Sequence, residues 1–285
     1  MKVFVTGGSG YLGTAVLRAL HRHGHTVHAL ARSENAARAV RALGATPVRG
    51  ALDDLAVLND AAAQAEAVVH LAQARTGEED LAAATAMQDG IGAGPYLHTG
   101  GTWVYGDTHG VVGEDAPWDP PALVAWRRPV EDAVLARASR GGRPVVIRPG
   151  LLYGDGNGLI DIFFVRPALE AGAVAYIGDG TQHWALVHVE DLAGLYVAAL
   201  RARPGSVYAG VGGSNPTARE VAEALSHGAG LDGRTVSLTL EQARADMGPI
   251  ADAFALDQQL TPQRARDELG WAPAFTDPTG VLARG

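Results

Sequence analysis

A chain of 285 residues, 47% of them hydrophobic, is long enough to bury one large core and carry a smaller lobe. Its formal charge of −8 argues against nucleic acid as a partner, and the absence of cysteine excludes disulfides, thiolate nucleophiles and thiolate metal sites. No uncharged run of about 18 apolar residues offers a membrane span, and Met1 leads directly into a strand-like segment, so a cytoplasmic protein without a signal peptide is expected.

In chain order, residues 2 to 6 read as a short apolar strand, and from Gly13 onward Ala15, Val16, Leu17 and Leu20 recur at helical spacing up to Gly24. Between them lies TGGSGYLG, residues 6 to 13. In a strand–turn–helix unit Gly7 allows the tight turn, Gly10 lets backbone approach a pyrophosphate, and Gly13 lets helix and strand pack closely. Tyr11 and Leu12 complete the turn, and the phosphates would sit on the helix N-terminus.

A second strand over 26 to 31 ends at Arg32 and Ser33, where an NAD enzyme usually places an acid for the ribose 2′-hydroxyl. Arginine suits a 2′-phosphate instead, so NADP(H) is the expected cofactor. Arg38 reads as part of a solvated helix face. Further strands follow over 46 to 50, 67 to 72, 96 to 99 and 145 to 148, alternating with helical stretches as a doubly wound parallel α/β sheet of the Rossmann kind requires. Ligands of such sheets gather at the carboxyl ends of strands. Residues 1–154 are assigned to this dinucleotide-binding domain. Residues 155–285 are read as a mixed region returning one or more strands to the sheet and forming a small C-terminal substrate lobe, with glycine and proline punctuation at 154 to 158, 178 to 180, 203 to 205 and 212 to 216.

With TGGSGYLG stand AVVHLA (67 to 72), WVYG (103 to 106), RPGLLYG (148 to 154), LVHVEDLAGLY (186 to 196) and ELGWAP (268 to 273). In these segments, which span nearly its whole length, the chain resembles an extended short-chain dehydrogenase/reductase of the NAD(P)-dependent epimerase/dehydratase superfamily. The resemblance implies that Leu52, Leu71, Ala72 and Gln73 border adenine and ribose, and that Pro149, Gly150 and Leu151 flank the nicotinamide. Ala51 departs from it, since the family often has an aspartate there that touches adenine.

The larger departures concern chemistry. The family typically reduces carbonyls with a serine or threonine near VYG and a tyrosine four residues before a lysine. The only lysine here is Lys2, and none of the seven tyrosines is followed four residues later by lysine or arginine. Counting back from Glu131 puts Leu123 at the tyrosine position and Arg127 at the lysine position; counting back from Gly106 puts Gly101 at the hydroxyl position, with Thr102 beside it. Thr102 and Thr99 remain as hydrogen-bond donors, and Arg127 or Arg128 as a positive charge near a developing alkoxide. The competing reading is that the threonines satisfy turn backbone and the arginines line a solvated helix start. Trp103, Trp126 and Trp184, with Tyr105, Tyr153 and His183, are candidates for a substrate wall. His21, His23 and His25 read as a solvated helix end rather than a metal site, and His188 as a structural bond.

Three functions remain open. The first is NADPH-dependent reduction of a ketone or quinone on a bulky, polyketide-type secondary metabolite, assisted by the substrate itself. Dyad-lacking relatives of that sort include antibiotic-tailoring ketoreductases of the simocyclinone type. The second keeps the cofactor but performs a non-redox cyclisation, epimerisation or elimination. The third is a non-enzymatic NADP-sensing regulator docking to a partner protein. The resemblance allows a monomer or homodimer, and Pro129 with its neighbouring arginines in the helix expected over 122 to 138, a common dimer surface in relatives, leans towards the monomer.

Overall fold

A computed structural model describes residues 1 to 156 and 158 to 285; Asn157, within the stretch 154 to 158, lies outside them. In chain order the strands run β1 Lys2–Thr6, β2 Thr26–Ala31, β3 Thr46–Arg49, β4 Ala67–His70, β5 Pro95–Thr99, the two-residue β6 Val111–Val112, β7 Arg143–Pro149, β8 Leu151–Tyr153, β9 Val174–Ile177, β10 Leu186–His188 and β11 Ser206–Gly210. Between them lie the helices α1 Tyr11–Arg22, α2 Glu34–Ala42, α3 Leu55–Ala63, α4 Gly77–Ile91, α5 Arg127–Ala136, α6 Arg166–Ala171 and α7 Val189–Ala199, with α8 Ala218–Gly228 beyond.

Seven strands form one sheet in the order β11-β7-β5-β4-β1-β2-β3, each neighbouring pair parallel. The order reverses between β1 and β4, and at such a switch point a crevice opens beyond the carboxyl ends of the strands. Both faces of the sheet are covered, so its central strands are apolar on both sides. Val3 and Val5 of β1 join Val69, Leu97 and Ile147 in a core shared with Leu17 of α1 and Leu192 of α7. Phe4, one residue out of phase, joins Val68, Tyr96 and Val146 in a second core with Leu58 of α3, Ala84 of α4 and Val134 of α5.

At the carboxyl ends this second face turns polar. Thr6 pairs in register with His70, and His70 with His98.

The second half of the chain supplies both β11, which extends the sheet beside β7, and α7, which covers it beside α1. Its own core is aromatic: Phe164, Trp184 and Phe254 meet with ring centroids 4.9 to 5.8 Å apart. The helix expected over 122 to 138 is broken into a 3-10 turn Ala122–Val124, α5, and a second 3-10 turn Arg137–Arg140. Pro129 explains the late start, because its missing amide and its ring are tolerated only in a first turn. No helix among the described residues is long and apolar enough to cross a membrane.

Candidate functional site

The glycine turn joins β1 to α1 with three distinct constraints. Gly7 has φ +72°, and a Cβ there would stand 2.7 Å from the Ala72 nitrogen. A Cβ on Gly13 would lie 2.0 Å from the Gly7 carbonyl oxygen, so helix and turn approach more closely than any side chain permits. Gly10 is different: its Cβ would meet only that same oxygen, at 3.3 Å, so its outward side is open. Gly10 caps α1 without a side-chain hydrogen bond, and the first turn carries no acid. The leading amides of α1 are therefore free for an anion, with the helix dipole aligned to favour it.

A cleft of about 600 Å³ opens from this turn along the ends of β2, β3 and β4. Gly7, Gly10, Arg32, Leu52, Ala72 and Gln73 line it, together with Leu71. Arg32 is exposed at the end of β2 and makes no ion pair among the described residues, whereas Arg41 and Arg49 are both spent on Glu34. Ser33 is occupied as the N-cap of α2, its hydroxyl accepting from the Ala36 amide at 3.2 Å. Sequence reasoning missed Ser9 and Asp53, which also line the cleft; Asp53 stands two residues beyond Ala51, and only the path of the β3–α3 turn reveals it. The open turn, the uncapped amides and the cleft beyond them together fit a nicotinamide dinucleotide.

Thr99, Pro149, Gly150 and Leu151 are not part of that cleft's lining. Thr99 Oγ1 donates to the His70 carbonyl at 2.7 Å and lies 2.7 Å from the Tyr196 hydroxyl. With its one proton committed, Thr99 accepts from Tyr196 and holds none for a substrate. The chain turns from β7 into β8 at Gly150, where a Cβ would lie 2.2 Å from the Ala185 oxygen, and Leu151 is buried. Thr102 is 3% exposed within the turn Thr102–Tyr105, which argues for packing rather than substrate contact.

Arg127 occupies the first position of α5. Its Nη1 donates to the Thr99 carbonyl at 3.3 Å, and its guanidinium lies 4.7 Å from the Trp126 ring centroid. Burial lowers its pKa, opposed by the nearby Glu131 and Asp80 carboxylates. Leu123, four residues earlier, is an exposed hydrocarbon in a separate turn. Gly101 has extended backbone, φ 179°, and a Cβ there would find only Arg127 Nε, 4.0 Å away. The place where the family carries a hydroxyl is thus an open space facing a cation.

The expected substrate wall is corrected in part. Tyr105 is 2% exposed: its hydroxyl donates to the Glu114 carbonyl and accepts from Arg148 at 2.6 Å, so it belongs to the core. Trp103 and Trp184 border a void of only about 10 Å³, because the indole nitrogen of Trp184 donates to the Phe254 carbonyl and Trp103 packs edge-on against the Phe254 ring. Trp126 covers Gly77 at the start of α4. His183 binds Asp257 Oδ1 through both its amide and Nδ1, at 2.8 Å each. Apolar room lies elsewhere, in a cavity of about 240 Å³ bordered by Leu152, Tyr153, Ile160, Val165 and Leu225. Tyr153 lines it by its ring while its hydroxyl donates to the Phe275 carbonyl at 3.1 Å.

Five tyrosines are tuned away from acid chemistry. Burial pushes the hydroxyls of Tyr11, Tyr96, Tyr105, Tyr153 and Tyr196 above the ordinary tyrosine range. His188 makes the expected structural bond, its Nδ1 accepting from the Glu190 amide at 3.2 Å to cap α7.

Residues 3 to 209 match the model of the NAD dependent epimerase/dehydratase family. An uncharacterised protein of Schizosaccharomyces pombe is 31% identical over 97% of this chain and 96% of its own. A Stigmatella aurantiaca protein named 4-hydroxy-2-methyl-3-oxo-4-farnesyl-3,4-dihydroquinoline-1-oxide ketoreductase is 28% identical over 99% of this chain and 95% of its own. Among solved structures, the human epimerase family protein SDR39U1 with NADPH superposes with a TM-score of 0.76 at 24% identity, covering 99% of this chain and 98% of that one.

Proposed function

The chain belongs to the NAD dependent epimerase/dehydratase family, and from that premise we propose that it is an NADPH-dependent oxidoreductase reducing a ketone or quinone on a bulky small molecule. The observation that carries this reading is an asymmetry: the phosphate-binding turn is intact and leads to an unpaired Arg32, while every position of the family's acid machinery is filled by a group that cannot give a proton. Solved structures of this fold carry NAD in some cases and NADPH in the human one, so the choice of NADPH rests on Arg32.

A dinucleotide would lie with its pyrophosphate on the amides at the head of α1, its 2′-phosphate against Arg32, and its adenine by Leu52 and Asp53. When bound it supplies a hydride to the carbonyl carbon. The proton for the carbonyl oxygen then comes from water or from a hydroxyl beside the substrate's own carbonyl, since Thr99 is committed and its neighbour Tyr196 is held protonated by burial. Arg127 holds a permanent positive charge beside Thr99, placed to stabilise negative charge developing on that oxygen. The name of the Stigmatella relative describes a compound with a 3-oxo group next to a 4-hydroxy carbon, a hydroxyl beside a carbonyl. The apolar cavity beside Tyr153 would take the bulk of a polyketide-type substrate.

Calorimetric titration with NADPH and NADH, followed by a screen of quinones and hydroxy-ketones for NADPH oxidation, tests this. We expect NADPH to bind more tightly, the product to gain two hydrogens, and the rate to show no protein pKa between about pH 6 and pH 9. A product of unchanged mass would instead establish an isomerase. A clear protein pKa that disappears in Tyr105→Phe or Tyr153→Phe would refute substrate assistance.

A further inference from the structure

Behind the wall of the cofactor cleft, the polar ends of β4 and β5 meet the first turns of α4. Leu71 and Glu79 line the cleft, whereas their neighbours His70 and Asp80 point the other way, into the core. There His70, Asp80 and His98 converge at 1%, 3% and 2% exposure. Asp80 Oδ1 lies 3.6 Å from His70 Nε2, and Asp80 Oδ2 lies 3.5 Å from His98 Nε2.

These separations are too long for charge-assisted hydrogen bonds, which close to about 2.7–2.9 Å. Accordingly His70 Nε2 and Asp80 Oδ2 are buried with no hydrogen-bond partner among the described residues. An unpaired carboxylate oxygen and an unpaired imidazole nitrogen in one dry cluster are expensive unless something compensates both. One ion does so. With metal–ligand distances of about 2.0–2.2 Å in tetrahedral array, ligand atoms stand roughly 3.4 Å apart. Each imidazole nitrogen stands close to that distance from one oxygen of the Asp80 carboxylate, and with one atom taken from each residue the three candidate ligand atoms all lie within 4.8 Å of one another.

We propose that His70 Nε2, His98 Nε2 and the Asp80 carboxylate form a binding site for one divalent ion of the zinc type. Two imidazoles and a carboxylate match the preference of such ions. The outer partners complete the arrangement. His70 Nδ1 lies 2.6 Å from Thr6 Oγ1, and His98 Nδ1 lies 3.3 Å from the Tyr96 hydroxyl. With its proton on Nδ1 and donated outward, each ring turns its Nε2 lone pair towards Asp80. The ion would tie α4 to β4 and β5 immediately behind the cofactor wall. Arg127 adds positive charge near Asp80, but its guanidinium is held by the Thr99 carbonyl and the Trp126 ring, and its charge is also met by Glu131.

The test uses the full chain after dialysis against a chelator. Zn²⁺ is titrated by calorimetry, and Co²⁺ is followed by its visible absorption. We expect one ion per chain, a Co²⁺ band of imidazole–carboxylate coordination, and a rise in melting temperature on loading. Affinity should fall at least hundredfold in Asp80→Asn and His98→Gln, and about tenfold to hundredfold in Thr6→Val, which keeps the side-chain volume and loses the hydroxyl that meets His70 Nδ1 and the Ala72 amide. It should be unchanged in His21→Ala/His23→Ala, which removes the exposed histidines at the end of α1. Absence of binding overturns the proposal. So does binding lost in the surface double variant and kept in Asp80→Asn. Should the ligand variants fail to fold, an unchanged affinity in Thr6→Val overturns it equally. The readouts are independent of any reductase activity, so failure of the functional reading leaves this one standing.

Discussion

The turn at residues 7 to 13 and the segment at 99 to 106 stand at the carboxyl ends of β1 and β5, two strands of one sheet, and have been treated in opposite ways. In the first, each glycine answers a contact that only glycine satisfies or leaves open, and the helix behind it keeps its amides free. In the second, Gly101 leaves a hole where the family carries a hydroxyl, and Thr99 turns its own inward to the His70 carbonyl. Binding geometry depends on backbone that cannot drift without losing the fold. Acid chemistry depends on a few side-chain atoms that can be dispensed with when the substrate activates itself.

The comparison is broken most severely at Gly13. A methyl group 2.0 Å from the Gly7 oxygen must push the turn off the end of β1. Gly13→Ala should therefore lose detectable NADPH binding by calorimetry and melt at lower temperature. Normal binding in this variant would mean that the turn does not hold the cofactor. The second region has its own rigid member, the pair of Glu131 Oε2 with Arg148 Nε at 2.9 Å, both side chains buried. It packs beneath Gly100, where a Cβ would fall 2.4 Å from Glu131 Oε1. Glu131→Ala strands the arginine charge and should cost about 3–5 kcal/mol in urea unfolding. A cost below about 1 kcal/mol would show that water reaches Arg148.

Arg32 tests the first region from its other end. Charged hydrogen bonds to a phosphate are worth about 1.5–3 kcal/mol, so Arg32→Ala should weaken NADPH about tenfold to hundredfold and leave NADH unchanged. Equal weakening of both would reassign Arg32 to the general shape of the cleft.

How far these two regions were legible beforehand follows the same division. The β1–α1–β2 unit is local: its glycines, the apolar strand and Arg32 lie within 31 consecutive positions, and the steric reasons act between neighbours. The reaction region is assembled from afar. Tyr196 reaches Thr99 from α7, and Asp80 reaches His70 and His98 from α4, through parallel register that no spacing in the chain encodes. Tyr105 and Trp184 looked like wall residues because aromatic type alone does not distinguish a pocket lining from a core. Their hydroxyl and indole partners, Glu114, Arg148 and Phe254, decide it. The helix expected over 122 to 138 took no account of Pro129 as a break; that regular helix starts only at Arg127 follows from the first-turn tolerance of proline.

The smallest expected effect is also the sharpest comparison of the two regions. Gly101 has a backbone conformation open to any residue, and the nearest atom to an added Cβ is Arg127 Nε at 4.0 Å. Gly101→Ser should then change stability by less than about 0.5 kcal/mol, as substitutions away from tight contacts do. Its new hydroxyl would stand beside a guanidinium, which donates but cannot accept a proton, so the serine oxygen would accept from Arg127 and present its own hydrogen outward. If the region lost its acid because substrates activate themselves, the variant should reduce quinones at the wild-type rate and improve only on ketones that lack a neighbouring hydroxyl. Improvement on every substrate alike would mean that proton delivery limits the native reaction. Severe destabilisation would mean that the space beside Arg127 is held for a substrate-shaped reason the backbone enforces, and the contrast between a rigid binding turn and a dispensable acid site would fail.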